Sequence, residues 1–162
     1  MSLRSLIRLI ATTGRVAQKA PPLPDLLQGR PQILKGSVQI RHIDAGSCNG
    51  CEIEIGNAFG PIYDAERYGA RLVASPRHAD LLLVSGVVTK NMLEPLRRTV
   101  DAAPTPRLVV ALGDCARNCG KFRAGYGVVG AVSDVLPVDL EIPGCPPEPE
   151  AIVNALRSVT GR

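Results

Sequence analysis

Two thiols stand three positions apart in Gly46-Ser47-Cys48-Asn49-Gly50-Cys51, and two carboxylates, Glu52 and Glu54, come just behind them. A third thiol lies in Gly113-Asp114-Cys115, with Cys119 four residues on, and a fifth in Pro143-Gly144-Cys145-Pro146-Pro147. Cys48 and Cys51 alone would make a dithiol redox pair, but that leaves three cysteines without a task. Four thiolates can bind zinc, whose structural sites usually come as two close pairs. Here one close pair is followed by thiols far along the chain. Four thiolates on separate loops can instead wrap a [4Fe–4S] cluster. Gly46, Gly50, Gly113, Gly120 and Gly144 let backbone approach closely and offer amide hydrogens to sulfur. Cys145-Pro146 has the Cys-Pro form that recurs in cluster loops. The cluster reading is therefore favoured over the dithiol and zinc readings. Five cysteines exceed the four required, so one is expected to be a small buried hydrophobe.

Thiols so far apart in sequence need a frame to bring them together. Val38–Ile43 alternates apolar and polar residues and predicts a first strand running straight into the Cys48 turn. Residues 52–69 read as helical in part, interrupted at Gly60-Pro61. Residues 71–74 form a short strand and 79–85 (ADLLLVS) a buried one. Residues 89–102 have helical spacing through Met92, Leu96 and Val100, with a break expected near Pro95. Residues 107–112 are a second buried strand, and 139–142 a short last one. Residues 148–159 predict a helix with Ile152, Val153, Leu156 and Val159 on one face. Continuous apolar strands alternating with helices predict an α/β fold: an open, mostly parallel sheet with helices on both faces. Sites in such sheets form just outside the carboxyl ends of the strands. Cys48 and Cys51, Cys115, and Cys145 each follow a strand, so all three groups are expected on one rim.

The 162 residues suit one domain with a substantial core. Residues 1–41 carry seven Lys and Arg against Asp25 alone, whereas the remainder has 12 bases and 14 acids. The basicity belongs to the N-terminal arm. In residues 1–20, Leu3, Leu6, Ile7 and Ile10 are spaced as on a helix and interleaved with Arg4, Arg8, Arg15 and Lys19, which predicts a short basic amphipathic helix fraying at Gly14. It suits docking on an anionic membrane surface or on a partner subunit; the plainer alternative is a locally packed tail. Pro21-Pro22-Leu23-Pro24 then makes a stiff linker. The expected organisation is an arm and linker over 1–34 and a compact domain over 35–162. No apolar run approaches the roughly 20 residues that span a bilayer, and no secretory leader is expected. Five cysteines without one point to a reducing compartment, where thiols serve more often as ligands or catalysts than in disulfides. With no Trp, 3% aromatic residues and a slightly acidic domain, nucleic acid is not an expected partner.

In combination and order, G-S-C-N-G-C-E-I-E at 46–54, A-D-L-L-L-V-S-G-V-V-T at 79–89, G-D-C at 113–115 and P-G-C-P-P-E-P at 143–149 resemble one family. It comprises the small, cluster-bearing subunits of [NiFe] hydrogenases and the related 20 kDa-type component of NADH:quinone oxidoreductase, complex I. The likeness spans about residues 36–157. It implies a flavodoxin-like domain with one [4Fe–4S] cluster held by Cys48, Cys51, Cys115 and Cys145. Cys119 is then spare, or a competitor of Cys115. The complex I version has two adjacent cysteines where this chain has Cys48-Asn49-Gly50-Cys51, so the resemblance leans to membrane-bound, formate-hydrogenlyase and CO-induced hydrogenases.

The resemblance implies an electron-transfer subunit of an oxidoreductase complex, with no bond chemistry of its own. Its expected partners are a hydrogenase or complex I-like large subunit, a ferredoxin-like Fe–S subunit and membrane subunits. Its expected place is the cytoplasmic face of the inner membrane. The resemblance also implies proton transfer or bracing of the large subunit at Glu54; the alternative is a carboxylate at a helix start, favourable for the dipole. His42 is expected to be satisfied by backbone or, less simply, to support the site. Arg117, Lys121 and Arg123 either stabilise a negative cluster or face solvent.

Overall fold

A computed structural model describes residues 3–13, 36–123 and 125–162. The strands are β1 (Val38–Asp44), β2 (Ala70–Leu72), β3 (Leu81–Ser85), β4 (Val88–Thr89), β5 (Leu108–Leu112), β6 (Val128–Gly130) and β7 (Leu140–Ile142). The α-helices are α1 (Leu3–Thr13), α2 (Gly50–Ala58), α3 (Lys90–Ala102), α4 (Gly113–Asn118) and α5 (Pro149–Thr160). Five strands form one parallel sheet in the order β2-β1-β3-β5-β7. This is the flavodoxin-like order, and it reverses direction between β1 and β3.

The central strand shows why the sheet is covered twice. Every residue of Leu81-Leu82-Leu83-Val84-Ser85 is buried. Side chains alternate across a strand. Leu81 and Leu83 pack with Ile55 and Ala58 of α2 and Ile152 and Leu156 of α5. Leu82 and Val84 turn to the other face and meet Leu96 and Val100 of α3. Leu156 is 1% exposed at the centre of the first layer. Leu156→Ala is expected to lower stability by about 2–5 kcal/mol, through lost transfer energy and the cavity left behind. Chemical denaturation of the two proteins side by side measures it.

The structure departs from expectation in three places. Pro95 lies inside α3 without ending it. A proline at the sixth helical position forfeits one bond, to the carbonyl of Asn91 in the loosely held first turn. Burial of Leu96 and Val100 against the sheet outweighs that loss. Helix α4 was not expected at all. Strands β4 and β6 form a separate antiparallel pair beside the main sheet, also unforeseen. Residues 52–69 resolve into α2 and a short 3-10 turn at Ala65–Tyr68. The amphipathic helix near the N-terminus is α1, while its expected fraying at Gly14, the Pro-rich linker and the boundary at 34–35 lie outside the described residues.

Candidate metal centre

Because the five main strands are parallel, their carboxyl ends share one rim. Cys48 and Cys51 follow β1, Cys115 lies in the helix after β5, and Cys145 follows β7. The first pair therefore sits at the point where the strand order reverses.

Local hydrogen bonds fix each loop. Asp44 Oδ1 accepts from the amides of Gly46 (2.8 Å) and Ser47 (2.7 Å), closing a tight turn at the end of β1. Ser47 Oγ accepts from the amide of Asn49 at 3.1 Å, and α2 begins one residue later. The other two loops are tied to each other. The amide of Asp114 donates to the Gly144 carbonyl at 2.8 Å, and the Gly144 amide donates back to Asp114 Oδ1 at 3.1 Å.

Four of the five thiols form one electrostatic group. Cys51 is buried, with its thiol 3.9 Å from the Leu112 carbonyl at the end of β5. Its pKa is pushed up to about 12, first by burial, then by Glu52, Cys115, Cys48 and Cys145. Burial also raises Cys115, followed by the neighbouring Cys145 and Cys48. Cys48 and Cys145 are exposed, and all five cysteines are free thiols. Cys119 lies behind Cys115, which packs against its apolar cluster. It is 4% exposed, packed with Val87 and Ala131, and its thiol is raised by burial and by Asp134, with no other cysteine contributing.

Glycine lets the backbone come up against the sulfurs. Gly113 has φ +83°, and a Cβ there would lie 2.9 Å from Cys51 Sγ. At Gly120 a Cβ would lie 3.4 Å from Cys115 Sγ. A soft, four-thiolate donor set cradled by bare backbone fits an iron–sulfur cluster. Among the described residues, no three or more His, Cys, Asp or Glu side chains are grouped to hold a metal ion.

Beside Cys51 lies a hydrogen-bonded trio that the sequence did not reveal. Ser85, 0% exposed at the end of β3, donates to Glu52 Oε1. His42 Nε2 lies 2.8 Å from Ser85 Oγ and 3.3 Å from Glu52 Oε1. His42 is thus satisfied by side chains, not by backbone as expected. A polar residue closing an apolar run beside the strand reversal was the available signal. Burial lowers the His42 pKa below its ordinary 6.5, against the raising influence of Glu52. The fold therefore favours the neutral imidazole, whereas the unfolded chain takes up its proton near the ordinary value. This stability is present at higher pH and is lost as pH falls through the ordinary value toward the lowered one. Urea midpoints are expected to fall more steeply between about pH 7 and pH 5 in the natural chain than in His42→Gln.

Two other expectations are placed as follows. Glu54 is half-buried on α2, accepts from Asn57 Nδ2 at 3.1 Å, and lines a groove with Tyr63 and Pro149. Arg117 pairs with Glu141 (2.9 Å) and Asp114 (3.3 Å), so much of its charge is already answered.

A flavodoxin-like sheet with four thiols along one rim, two of them at the strand reversal, defines a thiol-site α/β domain. Residues 48–159 match the family model described as NADH ubiquinone oxidoreductase, 20 Kd subunit. The chain belongs to that family. It is 43% identical over 128 residues to formate hydrogenlyase subunit 7 of Escherichia coli, covering 79% of this chain and half the length of that relative. It is 46% identical over 115 residues to a probable membrane-bound hydrogenase subunit of Pyrococcus furiosus, covering 71% of this chain and 69% of the relative. Among solved structures, a chain of the membrane-bound sulfane sulfur reductase, an archaeal respiratory membrane complex, superposes with a TM-score of 0.67 at 35% identity. That match covers 76% of this chain and 68% of the other.

Proposed function

We propose that this chain is the electron-transfer subunit of a membrane-associated oxidoreductase complex, holding one [4Fe–4S] cluster on Cys48, Cys51, Cys115 and Cys145. The observation that carries the proposal is the placement of these four thiols at the carboxyl ends of β1, β5 and β7 on one rim, with bare backbone at Gly113 against Cys51 Sγ and the Cys115 and Cys145 loops tied through Asp114 and Gly144. Such a cluster takes up and gives up single electrons. The chain's own residues hold it, supply close backbone at Gly113 and Gly120, and set the charge around it through Glu52.

The names of the matched relatives favour a hydrogenase complex; its proposed neighbours, from the family resemblance, are a catalytic large subunit, a ferredoxin-like subunit and membrane subunits. The family description favours a second reading, a quinone-reducing complex of the complex I kind. The partner's own cysteines decide between them, because nickel ligands would sit there. Glu54 keeps the proton-transfer role that the resemblance implies. Among the described residues no helix is long and apolar enough to cross a membrane, and the proposed location is peripheral, at the cytoplasmic face of the inner membrane.

Anaerobic purification with iron and sulfide analysis tests the reading, followed by an EPR spectrum after dithionite reduction. About four irons per chain and a reduced-cluster signal are expected. Zinc instead, or a reversible Cys48–Cys51 disulfide with no iron, would overturn it.

A further inference from the structure

The thiol site leaves α1 without a task. Its Leu3, Leu6, Ile7 and Ile10 recur at i, i+3, i+4 and i+7, one stripe of a helix. All four face solvent, at 73%, 39%, 58% and 61% exposure. Arg4 and Arg8 lie at the edge of the stripe and are also exposed. No acidic residue occurs before Asp25, and Arg15 and Lys19 add to the same sign.

We infer that α1 is an interfacial anchor that lies on an anionic phospholipid surface, with its Leu/Ile stripe in the acyl boundary and its arginines among the headgroups. Eleven residues rise only about 16 Å, roughly half of a hydrocarbon core, so the helix lies on the bilayer and does not cross it. The charge complementarity is specific to the arm. From residue 42 onward acids outnumber bases, so the rest of the chain is weakly repelled by the surface that attracts the first 41 residues. An aliphatic stripe flanked by unopposed cations asks only for apolar depth and negative charge, which a fluid anionic leaflet supplies.

The full chain, purified anaerobically, is sedimented with vesicles of phosphatidylcholine alone and of phosphatidylcholine with phosphatidylglycerol. Binding is expected on the anionic vesicles, about tenfold or more above the neutral ones, and is lost at about 1 M salt. Ile7→Ser with Ile10→Ser should abolish it. Arg4→Gln with Arg8→Gln should weaken it by at least about tenfold. Equal binding to both vesicle types, or undiminished binding by the Ile7/Ile10 variant, overturns the inference. So does a natural chain that ignores both vesicles while its Ile7/Ile10 variant loses co-purifying subunits, which would make the stripe a protein contact. Iron and sulfide content of the same samples reads the cluster independently, so the two proposals fail separately.

Discussion

Cys145→Ser is expected to reduce the iron and sulfide content from about four per chain to near none, while Cys119→Ala leaves it unchanged. The contrast follows from position. Cys145 follows β7 and acts on both Cys51 and Cys115. Removing one corner of a four-thiolate set leaves an iron without its ligand. Cys119 is buried with Val87 and Ala131 at the C-terminal cap of α4, on the inner side of Cys115, which packs against it. Its replacement costs packing only. Cys48→Ser, Cys51→Ser and Cys115→Ser should follow Cys145→Ser. Iron loss in Cys119→Ala with retention in Cys115→Ser would reverse the assignment of the third ligand. Circular dichroism on each variant separates loss of cluster from loss of fold.

The second large effect lies under the site. Glu52→Ala removes the acceptor for the fully buried Ser85 hydroxyl and a partner of His42. The Ser85 hydroxyl then has only His42 Nε2, 2.8 Å away, as partner, and losing a hydrogen bond to a charged group costs about 1.5–3 kcal/mol. A urea titration of Glu52→Ala should show a loss of this size. Ser85→Ala made in the Glu52→Ala background should then cost less than Ser85→Ala alone, because the Ser85–Glu52 bond is already gone. Simple additivity of the two losses would mean that the bond contributes nothing. One carboxylate oxygen, Glu52 Oε2, is buried without a protein partner. Glu52→Gln places an amide in the same space and should recover part of the lost stability.

The frame was readable from residue types because its signals are long. Leu81–Ser85 and Leu108–Leu112 are near-continuous apolar runs, and Ile152, Val153, Leu156 and Val159 mark the buried face of α5. The placement of the thiols on one rim followed from the strands that precede them, β1, β5 and β7, taken as parallel. What escaped was short or depended on distant partners. Helix α4 has six residues and starts on a glycine, so no periodicity can develop. Strands β4 and β6 have two and three residues and exist by virtue of each other. The Ser85–Glu52–His42 trio joins three elements, and no local pattern announces it. Pro95 gave a local signal that tertiary burial overruled.

The mutual bonds between Asp114 and Gly144 have a further consequence during synthesis. The Cys48–Cys51 turn leaves the ribosome well before the loop that carries Cys145. It is held in place by β7, an edge strand of three residues, and by its tie to the Asp114 loop. A chain released before β7 would offer three of the four thiols and no closed site. If the proposed cluster is inserted after translation, its insertion would act as an inspection of the fold, admitting chains in which β7 has docked.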